Sequence, residues 1–394
     1  MAVSAIPVKN NVAAGLLQLG RGLVNPALAL FTAIILGGFL ILISGFNPFD
    51  AYGGLLKGSF GLPEQWVAGD WHALNQTLAA ATPYIFTTLA VAFSFKAGLF
   101  NIGAEGQLKI GAFAAAWVGY SFAGLPPVIH VPLTLAAGWL GGAVWAAIPG
   151  VLKAFSGAHE VITTIMLNYI AAILLGFMTG QDGPFRGTQM STTPHIAASA
   201  QIPTIFGNNS TSNPLHWGFV IALLCAVGLA WLLQSTPFGF EIRTAGLNPS
   251  AARYAGISVA RITVAAMVVS GTLAGMAGAF EVMGSPNYNY KFSTNLGSGF
   301  GFNSIAIALL AKNNPIAAIP AAFLFSALET GKSTMQFATQ SANGTSLPAD
   351  VISIIEALII IFVAAPQMVR WLYRQKATGG EAVQLSRGWA RPEK

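Results

Sequence analysis

Ten apolar stretches, each about as long as a bilayer is thick, dominate the sequence. A helix that spans the hydrocarbon core needs about 20 mostly apolar residues. The sequence therefore predicts an all-α, polytopic membrane protein with about ten transmembrane helices. The stretch at 297–311 is short and Gly-rich, so a broken or re-entrant element is the alternative to a full crossing there. The stretches are 27–45, 74–95, 103–122, 131–150, 161–179, 217–234, 262–283, 297–311, 315–331 and 350–368.

The scarcity of charge excludes a soluble globule. Only 8% of the 394 residues are charged, against about 25% in a typical soluble domain. The basic residues behind the net charge of +6 lie mainly in short connectors, so we expect contact with membrane lipid and none with nucleic acid. The single cysteine, Cys225, excludes an intrachain disulfide. The five histidines are scattered without ligand spacing, so no metal site is predicted.

The distribution of basic residues predicts the orientation. Cytoplasmic connectors carry an excess of Lys and Arg. With the N-terminus inside and ten crossings, all of the 19 basic residues fall inside except Lys57, Arg186, Lys291 and Lys332. Both termini are therefore expected in the cytoplasm.

This topology divides the chain into three parts. They are a cytoplasmic segment at 1–26, a transmembrane domain at 27–368 and a basic cytoplasmic tail at 369–394, to which no role is assigned. The external loops 46–73 and 180–216 are expected either to form interfacial helices or partner contacts, or to be solvated connectors. A third long loop, 235–261, falls on the cytoplasmic side.

The cytoplasmic loop 235–261 contains the signature of a short, capped helix. Asn248 is a good N-cap, and Pro249 suits the first helical position, where its missing N–H costs nothing. Gly256 can adopt the left-handed conformation that ends a helix. A helix of about two turns is predicted. Because isolated helices this short are marginal in water, it should dock either on a cytoplasmic partner or on its own bundle.

Polar residues within apolar segments are costly in a membrane and are therefore candidates for function. Residues 96–109 place Asn, Glu, Gln and three glycines between two apolar runs, which suggests a gate or a broken-helix junction, or else a tight connector. The alternative role of the Asn residues is hydrogen bonding between helices. The alternative for Glu356 is a carboxyl group that is buried and hydrogen-bonded between helices. The gate or pathway candidates are Asn101, Gly103, Glu105, Gln107, Asn168, Asn303 and Glu356.

Two weaker patterns concern the packing of the helices. LFNIGA at 99–104 resembles GFNSIA at 301–306, and paired broken segments in two halves are typical of transporters. Six residues are too few to establish a duplication. Small residues recur at spacings of three and four over 270–278, which predicts close approach of helix backbones.

The sequence contains no recognisable catalytic motif. The nearest approach to a phosphate-binding loop, at 326–333, lacks the first glycine and lies in an apolar run. The chain is therefore not expected to be an enzyme, and a partner or an ion gradient must supply the energy. An ion-coupled transporter that uses Glu356 is one alternative. A membrane enzyme would need clustered charges at one membrane face, and the sequence shows none.

Three motifs resemble the permease subunits of nucleoside-type ABC importers. They are FNIGAEGQ at 100–107, EVITTIMLNYI at 160–170 and RTAGLNPSAARYAGI at 243–257. The resemblance extends over about residues 25–370. This family belongs to a larger class that serves simple sugars and branched-chain amino acids. The resemblance therefore implies nucleosides as the first candidate solutes and ribose-type sugars as the alternative.

The same resemblance implies an assembly. The chain would form a type II importer bundle in a prokaryotic cell membrane, paired with a second permease, with a heterodimer expected. An extracytoplasmic binding protein would deliver the solute, and a cytoplasmic ATPase would bind the ATP, so no cofactor is expected in this chain. The segment 248–256 would be the coupling helix in a groove of the ATPase. Its residues are Asn248, Pro249, Ala251, Ala252, Arg253, Tyr254 and Gly256.

Overall fold

A computed structural model describes residues 12–206, 213–285, 289–340, 346–348, 350–364, 368, 372 and 373. All regular secondary structure in these ranges is helical, and β pairing is limited to two isolated bridges, Thr192–Ser293 and Thr204–His216. The prediction of an all-α membrane protein is confirmed. Over the described residues the helices are α1 Val12–Ile43, α2 Pro48–Phe60, α3 Pro63–Val67, α4 His72–Lys96, α5 Ala104–Ser121, α6 Pro127–Val151, α7 Glu160–Thr179, α8 Gly218–Ser235, α9 Pro237–Leu247, α10 Pro249–Tyr254, α11 Val259–Gly284, α12 Phe300–Leu310, α13 Pro315–Ala338 and α14 Asp350–Ala364.

A helix lies in each of the ten predicted spans, but the lengths of these helices differ. Five of them, α4, α6 (with the π-helical turn at 152–156 that follows it), α7, α8 and α11, are long and apolar enough to cross a membrane. Shorter apolar helices lie in three other predicted spans, at 27–43, 300–310 and 353–362. The helix α12 has 11 residues and is about 16 Å long. It is therefore too short to cross a bilayer alone, as the brevity of its apolar stretch indicated.

Side-chain caps followed by proline start several helices. Asn47, Thr236 and Asn314 each accept a hydrogen bond from a backbone N–H of the first turn, and a proline occupies the following position. The cap satisfies one of the free N–H groups at the helix start, and proline lacks the N–H that would otherwise be unpaired. These local sequences therefore fix where α2, α9 and α13 begin.

The centre of the bundle is α4, which is surrounded by protein along most of its length. All residues from 81 to 94 are buried, including the large side chains of Phe86 and Phe93. Its neighbours include α8, α11, α12 and α13. A helix enclosed in this way is shielded from lipid, so its polar threonines can bond to other helices.

Glycines bring α5, α6 and α11 into backbone contact. A Cβ on Gly275 would lie 2.3 Å from the carbonyl oxygen of Gly138, and one on Gly271 would lie 2.4 Å from that of Gly142. Real Cβ atoms do not approach so closely, so only glycine fits at these positions. The close approach predicted from the small residues at 270–278 is confirmed.

The two segments predicted to be external loops are both packed against the bundle. Within 46–73, α2 lies along α13, where Ser59 donates a hydrogen bond to the carbonyl oxygen of Ala327. In 180–216, the backbone N–H of Ile196 donates to Tyr290 (2.9 Å) and that of Ile202 donates to Met283 (2.9 Å). Neither segment is a free solvated connector, and the side of the membrane on which they lie stays a prediction.

Candidate functional site

Two helices begin inside the bundle, part-way along α4. The first is α12. Its initial residue, Phe300, packs its ring 4.7 Å from the ring of Tyr84, the midpoint of α4. One turn later, Ser304 hydrogen-bonds Thr87. The helix α12 therefore runs alongside the second half of α4, and its N-terminus lies about half-way along α4.

The second such helix is α5. The chain turns back after α4, and the Asn101 side chain donates a hydrogen bond to Ser270 Oγ (2.8 Å), which itself donates to the carbonyl oxygen of Ala90 (2.7 Å). Asn101 is therefore level with Ala90, well inside the bundle. Since α5 begins three residues later, its first turn also lies inside the bundle. The chain therefore turns between α4 and α5 over residues 97–103, and the role of this segment as a gate stays a prediction.

Glu105 links the two interior helix starts. Its carboxylate accepts hydrogen bonds from the backbone N–H groups of Gly299 (3.1 Å) and Gly301 (2.9 Å), and it pairs with Lys109 Nζ at 3.3 Å. An acidic group at a helix N-terminus is favourable because the unpaired N–H groups there carry partial positive charge. A Cβ on Gly301 would lie 2.3 Å from the Glu105 nitrogen, so the two backbones are in direct contact.

A buried hydrogen-bond network fixes the start of α5. The side-chain amides of Asn101 and Gln107 bond to each other (3.0 and 3.2 Å), and Asn101 Oδ1 accepts from the Gly103 N–H (2.9 Å). Asn168 of α7 accepts from the Gly106 N–H and donates to the Ile102 carbonyl oxygen, both at 2.9 Å. Five of the predicted pathway candidates therefore meet in one junction. Their bonds are mutual, which favours a positioning role.

The remaining pathway candidates lie elsewhere. Asn303, in the first turn of α12, is half-buried and donates a hydrogen bond to Tyr84 Oη at 3.3 Å. It lies one turn from the Glu105 contact. Glu356 belongs to α14, and its side chain falls outside the described residues. Its role in the pathway stays a prediction.

The loop 235–261 contains the predicted capped helix. Asn248 Oδ1 accepts hydrogen bonds from the N–H groups of Ser250 and Ala251, both at 3.1 Å, and Pro249 is the first residue of α10. Gly256 has a φ of +82°, which is the left-handed conformation expected after the helix end. Within α10, Ala252 is buried, whereas Tyr254 is 94% exposed. The helix α10 therefore packs on the bundle through Ala252, and its other residues are exposed.

The end of α9, directly before α10, contacts the turn between α4 and α5. A Cβ on Gly246 of α9 would lie 2.2 Å from the Lys96 carbonyl oxygen and 2.8 Å from the Gly98 nitrogen. Residues 96–98 are the turn that leads from α4 back into the bundle. The end of α9 is therefore in backbone contact with the turn that leads from α4 to the buried junction.

Sequence reasoning missed the open side of α5. Lys109, Phe113 and Trp117 recur at intervals of four, and so they lie on one face of the helix. Trp117 is 48% exposed, and both Phe113 and Trp117 contact Phe185 of the following segment. The interval of four was visible in the sequence, but nothing there showed that this face is left uncovered.

The comparisons with known proteins identify the family. The family described as branched-chain amino acid transport system / permease component matches residues 73–364. The chain belongs to this family. It is thus a membrane-embedded permease of an ABC transport system, as the three motifs indicated.

Curated members of this permease family match over most of the chain. The guanosine ABC transporter permease protein NupP of Bacillus subtilis is 36% identical over 351 residues, 89% of this chain and 95% of that protein. The nucleoside ABC transporter permease protein NupB of Lactococcus lactis is 35% identical, covering 87% and 91%. The glucose ABC transporter permease protein TsgB13 of Haloferax volcanii is 32% identical, covering 88% of each chain.

Proposed function

We propose that this permease forms the translocation pathway of an ATP-driven importer of nucleosides. The solute class is supported by the relatives NupP and NupB, which are permeases for guanosine and for nucleosides. The coupling to an ATPase is supported by α10. This capped helix has one buried residue, and Arg253 and Tyr254 are exposed at its end. Such a helix suits a protein partner, because its own bundle covers only Ala252.

The partner at α10 is a separate cytoplasmic ATPase. Closure of the ATPase on ATP displaces α10, and the contact between Gly246 and residues 96–98 transmits the displacement to the junction around Asn101 and Glu105. The bundle then alternates between inward- and outward-facing states. Each ligand biases these states only through its different affinity for them.

A second permease completes the pathway, and an extracytoplasmic binding protein delivers the solute. The helix α7 supports the pairing, because most of it is left uncovered by its own chain: Ile173 is 73% exposed and Phe177 is 70% exposed. We expect a heterodimer, with both termini and α10 on the cytoplasmic side of a prokaryotic cell membrane.

A sugar is the second candidate solute. The permease TsgB13, which is a glucose permease, matches this chain over the same share of its length as the nucleoside permeases do. The relatives therefore include permeases for both solute classes, and the present chain is more similar to NupP and NupB (36% and 35% identical) than to TsgB13 (32%).

Uptake by cells that express the complete transporter tests the solute class. Radiolabelled uridine should accumulate, with excess unlabelled inosine competing and excess ribose or glucose not competing. ATP depletion should stop uptake, whereas collapse of the ion gradients at constant ATP should not. Uptake of radiolabelled ribose with no uridine accumulation would assign the chain to sugars, and uptake that survives ATP depletion would contradict the ABC mechanism.

A further inference from the structure

One face of α5 leads from an aromatic cluster to a charged group. It is open at its aromatic end, where Trp117 is 48% exposed, and more enclosed at Lys109, whose side chain is 14% exposed. The Phe185 ring stands nearly perpendicular to Phe113 (5.2 Å between centroids, 89°) and to Trp117 (6.3 Å, 78°). Two turns before Trp117, Lys109 lies on the same face. The other faces of α5 are occupied, since Gly106 packs on α7 and Gly111 packs on α6 and α11.

Lys109 lies inside the bundle, with its side chain 14% exposed, and retains hydrogen-bonding capacity. It is one turn from Glu105, whose carboxylate meets the interior start of α12. A charge within a transmembrane bundle is unfavourable against lipid, so such residues face protein or a water-filled cavity. An ammonium group has three N–H donors. Within the described ranges, Lys109 Nζ has two partners, Glu105 Oε1 at 3.3 Å and Ser298 Oγ at 3.2 Å, which leaves one donor for a further acceptor.

We propose that this face, with Lys109, Phe113, Trp117 and Phe185, lines a groove in which the permease contacts a nucleoside during passage. The base packs against the rings of Trp117 and Phe113, because aromatic side chains accept the π-face of any base. The free donor of Lys109 bonds a ribose hydroxyl. This inference rests on the proposed function and assigns that function its solute contacts.

The charge arrangement fits a neutral, hydroxyl-bearing solute. The charge of Lys109 is already balanced by Glu105, so the groove has little net attraction for an anion. The group that remains for a solute is one N–H donor of Lys109, on the same helix face as the aromatic rings. A nucleoside presents both a hydroxyl group and a flat ring system, whereas a simple sugar lacks the ring system.

Thiol labelling with substrate protection tests this proposal. The chain has one cysteine, so a Cys225→Ala background allows single cysteines to be introduced. In the complete transporter turning over ATP with its binding protein, a membrane-impermeant maleimide should modify Trp117→Cys. Saturating uridine should slow that reaction several-fold. Met190→Cys, at an exposed residue outside the proposed contact set, is the control and should react at a rate that uridine does not change.

Transport kinetics provide the second measurement. Trp117→Ala should raise the KM for uridine about tenfold, as expected from the loss of one base–aromatic contact. Trp117→Phe should restore most of the affinity. Lys109→Met should raise the KM as well, and Lys109→Arg should do so less, because the guanidinium keeps the donor.

The possible outcomes separate this inference from the proposed function. If wild-type transporter takes up uridine but Trp117→Cys is never modified, the groove faces lipid or the second permease and the inference is wrong. Modification that uridine leaves unchanged also overturns it. If wild-type transporter takes up no nucleoside at all, the proposed solute class itself fails.

Discussion

The Glu105 carboxylate accepts a hydrogen bond of 2.9 Å from the backbone N–H of Gly301 and thereby joins the first turns of α5 and α12. These two helices start inside the bundle and lie about 200 residues apart in the sequence. In transporters, interrupted helices commonly build the site where the solute crosses. Because this bond joins the starts of α5 and α12, a displacement of either helix would change its contact with the other.

Removal of the Glu105 charge should destabilise the permease strongly. Glu105→Gln keeps the size of the side chain but leaves Lys109 without its buried counter-charge and weakens the contact with the start of α12. The expected loss in the free energy of unfolding is about 3 kcal/mol. Denaturant unfolding of the purified permease in detergent measures it.

Glu329→Gln is the matched control for that change. Glu329 pairs with Lys332 at 3.7 Å, and its side chain is 41% exposed. An exposed pair of this kind contributes less than about 1 kcal/mol. Equal effects of the two substitutions would show that the Glu105 contact has no special structural role.

Asn168 should be needed for the junction at the start of α5. In Asn168→Ala, the Gly106 N–H and the Ile102 carbonyl oxygen both lose their side-chain partner. An unpaired buried polar group costs about 1–3 kcal/mol, so the unfolding free energy should fall by an amount in that range. Tyr169→Phe, at the exposed neighbouring position, should change it by less than about 0.5 kcal/mol. A neutral Asn168→Ala variant would argue against a packed junction.

Two glycine substitutions should have opposite effects. Gly275→Ala places a methyl group 2.3 Å from the Gly138 carbonyl oxygen, so α11 and α6 must separate, at a cost of about 3 kcal/mol or more. Gly228→Ala in α8 meets no atom within 4 Å. That change should stabilise the helix by up to about 1 kcal/mol, since alanine is the better helix former. Thermal unfolding in detergent distinguishes them, and similar melting temperatures would refute the close packing.

The sequence was sufficient for features that depend on local chemistry. The cap of α10 follows from Asn248 and Pro249, whose side chains act within their own turn. The apolar lengths predicted helices at each of the ten spans, including the shortened α12. The resemblance of GFNSIA to LFNIGA also indicated two related interruptions, and the structure brings the segments that contain them into contact.

Features that depend on tertiary contact were not predictable. Whether Asn101 faces solute or another helix depends on Ser270, which is 169 residues away. The packing of α2 along α13 depends on Gly54 and Gly58 meeting residues near 334, and no local pattern encodes that pairing. The exposure of Trp117 likewise follows from what its neighbours leave uncovered.

ATP-driven uptake of uridine by proteoliposomes that contain the complete transporter tests the central claim most directly, when wild type is compared with Tyr254→Ala and Arg253→Glu. Both residues are exposed on α10. Each variant should insert normally but fall below about a tenth of the wild-type uptake, with the ATPase lost on purification. Phe240→Ala, an exposed aromatic residue of the same loop outside α10, should transport normally. Normal uptake by both α10 variants, or wild-type uptake without ATP, would contradict the account.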